Sequence, residues 1–448
     1  MRSTSAATFC LLTSLFCFVA SAFGLPIYRD SLPNGLVVLT YEDHHLPAVS
    51  MTLVCRSGGA CDPKGLGGAA AMMADLLTRG TATMSGDSVK SVVEFLGARF
   101  AGVAEDDYSG VELKALSKDL GTALDLLSDA VLNPAFDSQQ IELQRDRMLA
   151  RVRRYSDIPL VEVQVEFMKL AYGDHPYGHM TEGDTASLPR IGREDLVEFY
   201  RTYFRPNNCF LVAAGDLDHD DLAAAVQKRL SAWTPAPVPV LTAAPLTAPE
   251  RIRARVITRS DLNQTYVEFG HPGISATDPD LLPVRLMSYI LGGTAMSSRL
   301  GVDVRVKGGL AYDVRCYFER ERLPSMFKAT VQTAQPKEAI TLMLRDIETM
   351  HDSGATKREL LDAQNYYTGS FPLGYASLDG KLGQLRTMEL YGYGMDWLVK
   401  FPDKVRAVTL DEVNKAARDR LNPGRYWMVV IGPVTKEDLG LTNVDWVE

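Results

Sequence analysis

Basic excess is the first thing this sequence lacks. Its 448 residues carry 47 Lys and Arg against 56 Asp and Glu, a net charge of -9 at pH 7. Nothing is left over to neutralise phosphates, which argues against nucleic acid or an anionic membrane as partner. Cysteine is scarce too, at six residues, and none are spaced C-x-x-C, so a zinc ribbon or a thioredoxin-type redox pair is excluded. Beyond residue 24 no run is apolar enough to span a bilayer. No nucleophile–base spacing suggests an independent hydrolase of another class. What remains is an ordinary globular composition, 46% hydrophobic and 23% charged, long enough for two domains of roughly 200 residues each.

Residues 1–24 read as a secretory signal peptide. Arg2 precedes an apolar run from Ala6 to Ala20, and Ala20-Ser21-Ala22 offers small side chains where a signal peptidase cuts. The cut falls after Ala22 or Gly24. An uncleaved anchor is the competing reading, because residues 7–24 are almost long enough to span. Phe16 argues against a lipoprotein site at Cys17. Cleavage removes Cys10 and Cys17 and leaves Cys55, Cys61, Cys209 and Cys316 in a periplasmic or secreted protein, where disulfides persist. Cys55 and Cys61 bracket the turn-like Gly58-Gly59; a disulfide between them and four separate thiols are both open.

The mature chain opens with an Asn34-Gly35 turn, a strand over Leu36–Thr40, a second strand over Ala48–Cys55, and apolar residues at helical spacing over Gly65–Thr78. Between Trp233 and Arg251 five prolines sit among Ala, Val and Thr, the composition of an extended linker. We place it at 234–251, dividing an N-terminal domain, 25–233, from a C-terminal one, 252–448. The halves repeat. Arg205-Pro206-Asn207-Asn208 leads into Cys209–Gly215, and Asn422-Pro423-Gly424-Arg425 leads into Tyr426–Gly432. Each is a proline turn before a strand that ends in glycine. Strands mixed with amphipathic helices imply an α+β fold, one layered α/β domain built twice.

The segment from Gly68 through Ala71, Ala74 and Asp75 to Gly80-Thr81 resembles the first helix of the pitrilysin/insulinase family of zinc peptidases, the inverzincins. Members carry H-x-x-E-H there: two His one turn apart face one metal, and the Glu activates a bound water. Here those positions hold Ala71, Ala74 and Asp75. The family's third ligand, a Glu on a later helix, aligns within Gln140–Arg154 at Arg151. The resemblance therefore implies a clamshell of two homologous domains whose first half has lost its zinc. One expectation follows: Asp75 and Arg151 form an ion pair in the metal's place. The alternative leaves both in solvent, since Arg145, Arg147, Arg151, Arg153 and Arg154 crowd that helix.

In the second half, Ser297-Ser298-Arg299-Leu300 and Arg305-Val306-Lys307-Gly308-Gly309-Leu310-Ala311-Tyr312 resemble the family's second signature. Val306 departs from it, standing where members usually carry an acid. In relatives the Arg holds substrate backbone and the Tyr stabilises the oxyanion, reaching across to the zinc half. The resemblance implies that Arg305 and Tyr312 serve a zinc-bearing homologous partner chain acting on unstructured peptides. No cofactor is expected in this chain, with zinc in the partner. The alternative is a non-catalytic peptide-binding or scaffolding protein of the same fold. Asp174-His175-Pro176-Tyr177-Gly178-His179 reads as a structural turn rather than a metal site, and Glu42-Asp43-His44-His45 as a polar loop. His219, His271 and His351 stand alone. The stretch 371–380 has two glycines, too few for the Gly-rich loop of the processing peptidase's non-catalytic subunit.

Overall fold

The computed structural model describes residues 24–448; most of the expected signal peptide lies outside them. The first half begins with strands β1 (Ile27–Ser31), β2 (Val37–Glu42) and β3 (Ala48–Cys55). Helices α1 (Ala69–Leu77) and α2 (Gly86–Leu96) follow, then the hairpin of β4 (Arg99–Ala104) and β5 (Ser109–Leu116). Helices α3 (Leu120–Leu132), α4 (Ser138–Arg153), α5 (Pro159–Tyr172) and α6 (Arg193–Tyr203) lead to β6 (Cys209–Gly215) and α7 (His219–Leu230). Residues 234–250 form neither helix nor strand.

The second half repeats the plan with β7 (Ile252–Thr258), β8 (Thr265–Pro272) and α8 (Leu281–Gly292), then the hairpin of β9 (Ala311–Phe318) and β10 (Met326–Thr333). Helices α9 (Pro336–Ser353), α10 (Lys357–Ser370), α11 (Leu378–Tyr391), α12 (Trp397–Ala407) and α13 (Leu410–Arg420) precede β11 (Trp427–Gly432) and β12 (Val444–Val447). The sheet orders are β1-β2-β6-β3-β5-β4 and β12-β7-β11-β8-β10-β9. Five strands correspond one to one, with β2 and β6, like β7 and β11, as the parallel pair. Only the outermost strand differs: β1 is antiparallel to β2, whereas β12 closes the chain parallel to β7. The two proline turns lead into β6 and β11, the buried central strands that the repeat anticipated.

Each sheet is covered on one face by its own helices and on the other by a helix from the opposite half. Val38, Met51, Leu53 and Leu211 of the first sheet pack with Met72 and Met73 of α1. The alternate residues Leu39, Val54, Phe210 and Val212 point the other way, into a cluster with Leu382, Leu385 and Met388 of α11. This two-sided burial explains why β6 reads as an unbroken apolar run. In return α5 lays Val163, Phe167 and Ala171 against Trp427, Val429 and Ile431 of β11. Ion pairs accompany the exchange, including Arg56 with Glu389 at 2.7 Å and Arg259 with Glu162 at 2.8 Å. Among the described residues no helix is long and apolar enough to cross a membrane.

Candidate functional site

Helix α1 starts later than its apolar spacing suggested, because Gly65–Gly68 is held as a loop. Buried Asp62 accepts hydrogen bonds from the backbone N–H groups of Gly68 and Ala70, both at 2.7 Å, and so caps the helix. His179 reaches the same carboxylate with Nε2 at 3.2 Å. The second His of the His-Pro-Tyr-Gly-His turn thus fixes the start of this helix. Gly68 has φ +100°, and a β-carbon there would lie 2.8 Å from Leu188. At the other end, β4 passes so close to α1 that a β-carbon on Gly102 would fall 2.3 Å from the Ala74 carbonyl oxygen.

Ala74 is 1% exposed, while Ala71 and Asp75 are half-buried. The expected Asp75–Arg151 ion pair is not formed. Asp75 Oδ2 instead accepts a hydrogen bond from Gln144 Nε2 at 2.5 Å, and Arg151 is exposed in the last turn of α4. The reason is helical phase. Gln144 and Arg151 are about two turns apart on one face of α4, and the earlier, buried position reaches α1. Burial pushes the Asp75 pKa up, and the Arg79, Arg151 and Arg147 charges only partly oppose it. Two methyl groups, a carboxylate already engaged by an amide and a cation do not fit a zinc ion, which needs lone pairs converging at about 2.0–2.2 Å. Sequence reasoning missed Gln144, although its seven-residue spacing from Arg151 was visible.

Arg305 and Tyr312 do come together. Arg305 lies in a wide turn, Gly301–Lys307, where the Gly308 N–H bonds the Asp303 carbonyl five residues back. Gly309, with φ +62°, turns the chain into β9. Tyr312 is then the extra residue of a β-bulge: Asp313 and Ala311 oppose Gln332 and Thr333, so two steps on β9 match one on β10. The bulge turns the Tyr312 ring outward to 81% exposure. The Arg305 guanidinium sits 4.4 Å from the centre of that ring. Among the described residues, neither side chain makes a hydrogen bond, ion pair or ring contact with the first half.

A polar cluster that the sequence analysis did not single out lies where the β4–β5 and β9–β10 hairpin tips meet. Asp107 accepts from Tyr177 Oη at 2.7 Å, the Arg322 N–H at 2.7 Å and Tyr391 Oη at 3.3 Å. Glu321 hydrogen-bonds the same carboxylate, and burial followed by the Asp107 charge pushes its pKa up to about 9. Asp106 is raised to about 6, chiefly by burial. Glu319 accepts from Tyr172 Oη at 2.6 Å and pairs with Lys328 at 2.6 Å. Asp106, Tyr172, Tyr177, Glu319, Glu321 and Lys328 border a cavity of about 310 Å³ between the halves. A larger one of about 700 Å³ adjoins it through Glu319 and Glu321. The repeat itself carried the signal, since Glu105-Asp106-Asp107 and Glu319-Arg320-Glu321 occupy equivalent turns.

The other histidines sort by partner. His175 Nδ1 accepts from the Tyr177 N–H, His44 pairs with Asp216, and His45 with Asp43. His271 is stacked on Phe327, and burial depresses its pKa to about 4. His219 is not isolated: Nδ1 meets Thr40 Oγ1 at 2.8 Å, Nε2 lies 3.3 Å from Asp30, and Asp220 is close by. Cys55 and Cys61 are not joined; Cys55 lies directly across the ladder from Cys209, and all four described cysteines are free.

Comparison with known proteins matches residues 37–185 to the model for insulinase, peptidase family M16, and residues 190–367 to that for the peptidase M16 inactive domain. An uncharacterized zinc protease of Streptomyces coelicolor is 26% identical over 91% of this chain and 90% of its own. One of Mycobacterium tuberculosis is 29% identical over 90% and 93%. A peptidase M16 inactive domain from Pseudomonas fluorescens superposes with TM-score 0.83 at 28% identity, covering 92% of this chain and 98% of its own. A Helicobacter pylori protease shares the fold, with TM-score 0.81 at 16% identity over 91% and 99%.

Proposed function

This chain belongs to peptidase family M16, the insulinase family, and from that premise we propose that it is the zinc-free subunit of a two-chain metallopeptidase. The observation that carries the reading is the contrast between its two signatures. Ala71, Ala74, Asp75 and Arg151 offer no metal site, whereas Arg305 and Tyr312 are both present and held together at the start of an edge strand. A zinc-bearing homologous chain would contribute the metal and the general base. This chain would contribute donors. The exposed Tyr312 O–H is suited to donate to an oxyanion, and Arg305 to hold a substrate carbonyl once it swings from the tyrosine ring. Strands β4 and β9 end their sheets with one edge unpaired. Such edges accept an extended, unfolded peptide as an added strand. Export through residues 1–24 to the periplasm or medium belongs to the same proposal.

A second reading keeps the peptide binding and drops the catalysis. It is favoured by the Arg305 guanidinium being engaged with its own Tyr312. Hydrolysis of an unstructured peptide by this chain, by a homologous chain with an intact H-x-x-E-H helix, and by their mixture separates the two. Activity in the mixture alone supports the two-chain enzyme. Equal activity of the partner by itself leaves a binding or scaffolding protein.

A further inference from the structure

We propose that the 700 Å³ cavity of the second half binds the C-terminal carboxylate of a peptide ending in an aromatic or other large apolar residue. The peptide in this statement rests on the reading above; the carboxylate rests on the cavity alone.

Two arginines line the cavity, Arg285 from α8 and Arg320 from the β9–β10 turn. Neither has a carboxylate within the 4.0 Å of an ion pair, among the described residues. Their charges oppose each other. Burial and the Arg320 charge both work against the Arg285 cation, while only the phenols of Tyr367 and Tyr393 favour it. The Arg285 guanidinium is fixed from behind, 4.5 Å from the Tyr367 ring centre and 5.2 Å from that of Phe401. One of its N–H groups meets the Tyr367 hydroxyl, and with five N–H donors the guanidinium keeps others for a carboxylate. Two mutually repelling cations without a counter-ion are relieved by one anion set between them.

The acids that also line the cavity do not supply that anion. Glu319 is committed to Lys328 and Tyr172, and Glu321 shares its hydrogen bond with Asp107. The walls are aromatic, with Tyr366, Tyr393 and Trp397 presented to the space. An apolar body with one charged end matches this surface better than a bare inorganic anion does. The cavity continues through Glu319 and Glu321 into the space between the halves. A ligand with chain extending behind its carboxylate therefore has somewhere to run.

The test is calorimetric titration of the full chain with N-acetyl-Gly-Phe as free acid, the same dipeptide as C-terminal amide, and 3-phenylpropionate, with the change in tryptophan emission that Trp397→Phe abolishes as a second readout. The free acid is expected to bind at least tenfold tighter than the amide. Arg320→Gln, at an exposed position, and Arg285→Gln should each cost the acid about tenfold and leave the amide unchanged. Equal binding of acid and amide, no binding of either, or an unchanged acid affinity in a folded Arg320→Gln protein would overturn the proposal. Phenylpropionate binding as tightly as the dipeptide acid would overturn its peptide part. Peptidase activity of the two-chain mixture is read separately, so either conclusion can fail while the other stands.

Discussion

Replacing Glu321 with Gln should make the protein more stable at alkaline pH, although it removes a buried hydrogen-bonding carboxyl group. Glu321 is packed among Asp106, Asp107 and Glu319, with Tyr177, Tyr391 and the Arg322 backbone completing the shell. Burial and Asp107 raise its pKa from 4.5 to about 9. The folded protein thus holds a proton that the unfolded chain has already released. Its contribution is fully present below pH 4.5 and is lost progressively as pH climbs to about 9. At about 1.36 kcal/mol per pH unit the loss by pH 7 is about 3 kcal/mol, and residual solvent at a half-buried side chain reduces it to roughly 2 kcal/mol. Asp106, raised to about 6, adds a smaller loss of the same sign at lower pH. Glutamine keeps a donor for Asp107 and has no proton to give up. Thermal unfolding followed by circular dichroism at pH 5, 7 and 8.5 measures the difference. The two proteins should melt together at pH 5, and the variant a few degrees higher at pH 8.5. Parallel pH profiles would refute the assignment of the raised pKa to Glu321.

Gln144→Leu leaves the Asp75 carboxylate without its amide and should cost about 1–3 kcal/mol in urea unfolding, most of it recovered by adding Asp75→Ala; no recovery would show that Gln144 acts elsewhere. Gly102→Ala drives a β-carbon into the Ala74 backbone and should destabilise by at least about 1–3 kcal/mol. Gly121→Ala in α3, where nothing lies within 4 Å, should instead stabilise by about 0.5–1 kcal/mol; equal effects of the two would contradict the close approach of β4 to α1. Refolding in oxidised glutathione, which accepts the two electrons, should join Cys55 to Cys209, its cross-strand neighbour. Peptide mapping that finds Cys55 joined to Cys61 would contradict the register.

Local signals carried far along this chain. The strand read as Ala48–Cys55 is β3 with the same ends, and the repeated proline turns identified both central strands before any pairing was known. The first helix was read four residues too long at its start, because Gly65–Gly68 continue the small-residue pattern while Asp62 holds them as a cap. Whether Ala71 and Ala74 could ligate a metal is a matter of identity: a methyl group is no ligand wherever it points. Which α4 residue answers Asp75 is not, since Gln144 and Arg151 share a helical face and only packing selects between them. The hairpin-tip carboxylates escaped notice for a different reason. Asp107 and Glu321 are 214 positions apart in the numbering, and the repeat marks their turns as equivalent without showing that the two turns touch. Their meeting is a product of the reciprocal exchange of α5 and α11, a tertiary event.

On the proposed function, Arg305 and Tyr312 complete a peptidase site whose metal lies on another chain. The decisive measurement is kcat for an unstructured peptide in the mixture of this chain with a homologous H-x-x-E-H chain, comparing native protein with Tyr312→Phe. Loss of one oxyanion donor should lower kcat by about 10²–10³-fold. Because the Tyr312 hydroxyl is exposed and has no hydrogen-bond partner among the described residues, folding and association should be unchanged. An unchanged kcat in a mixture that is active only when both chains are present would contradict the account.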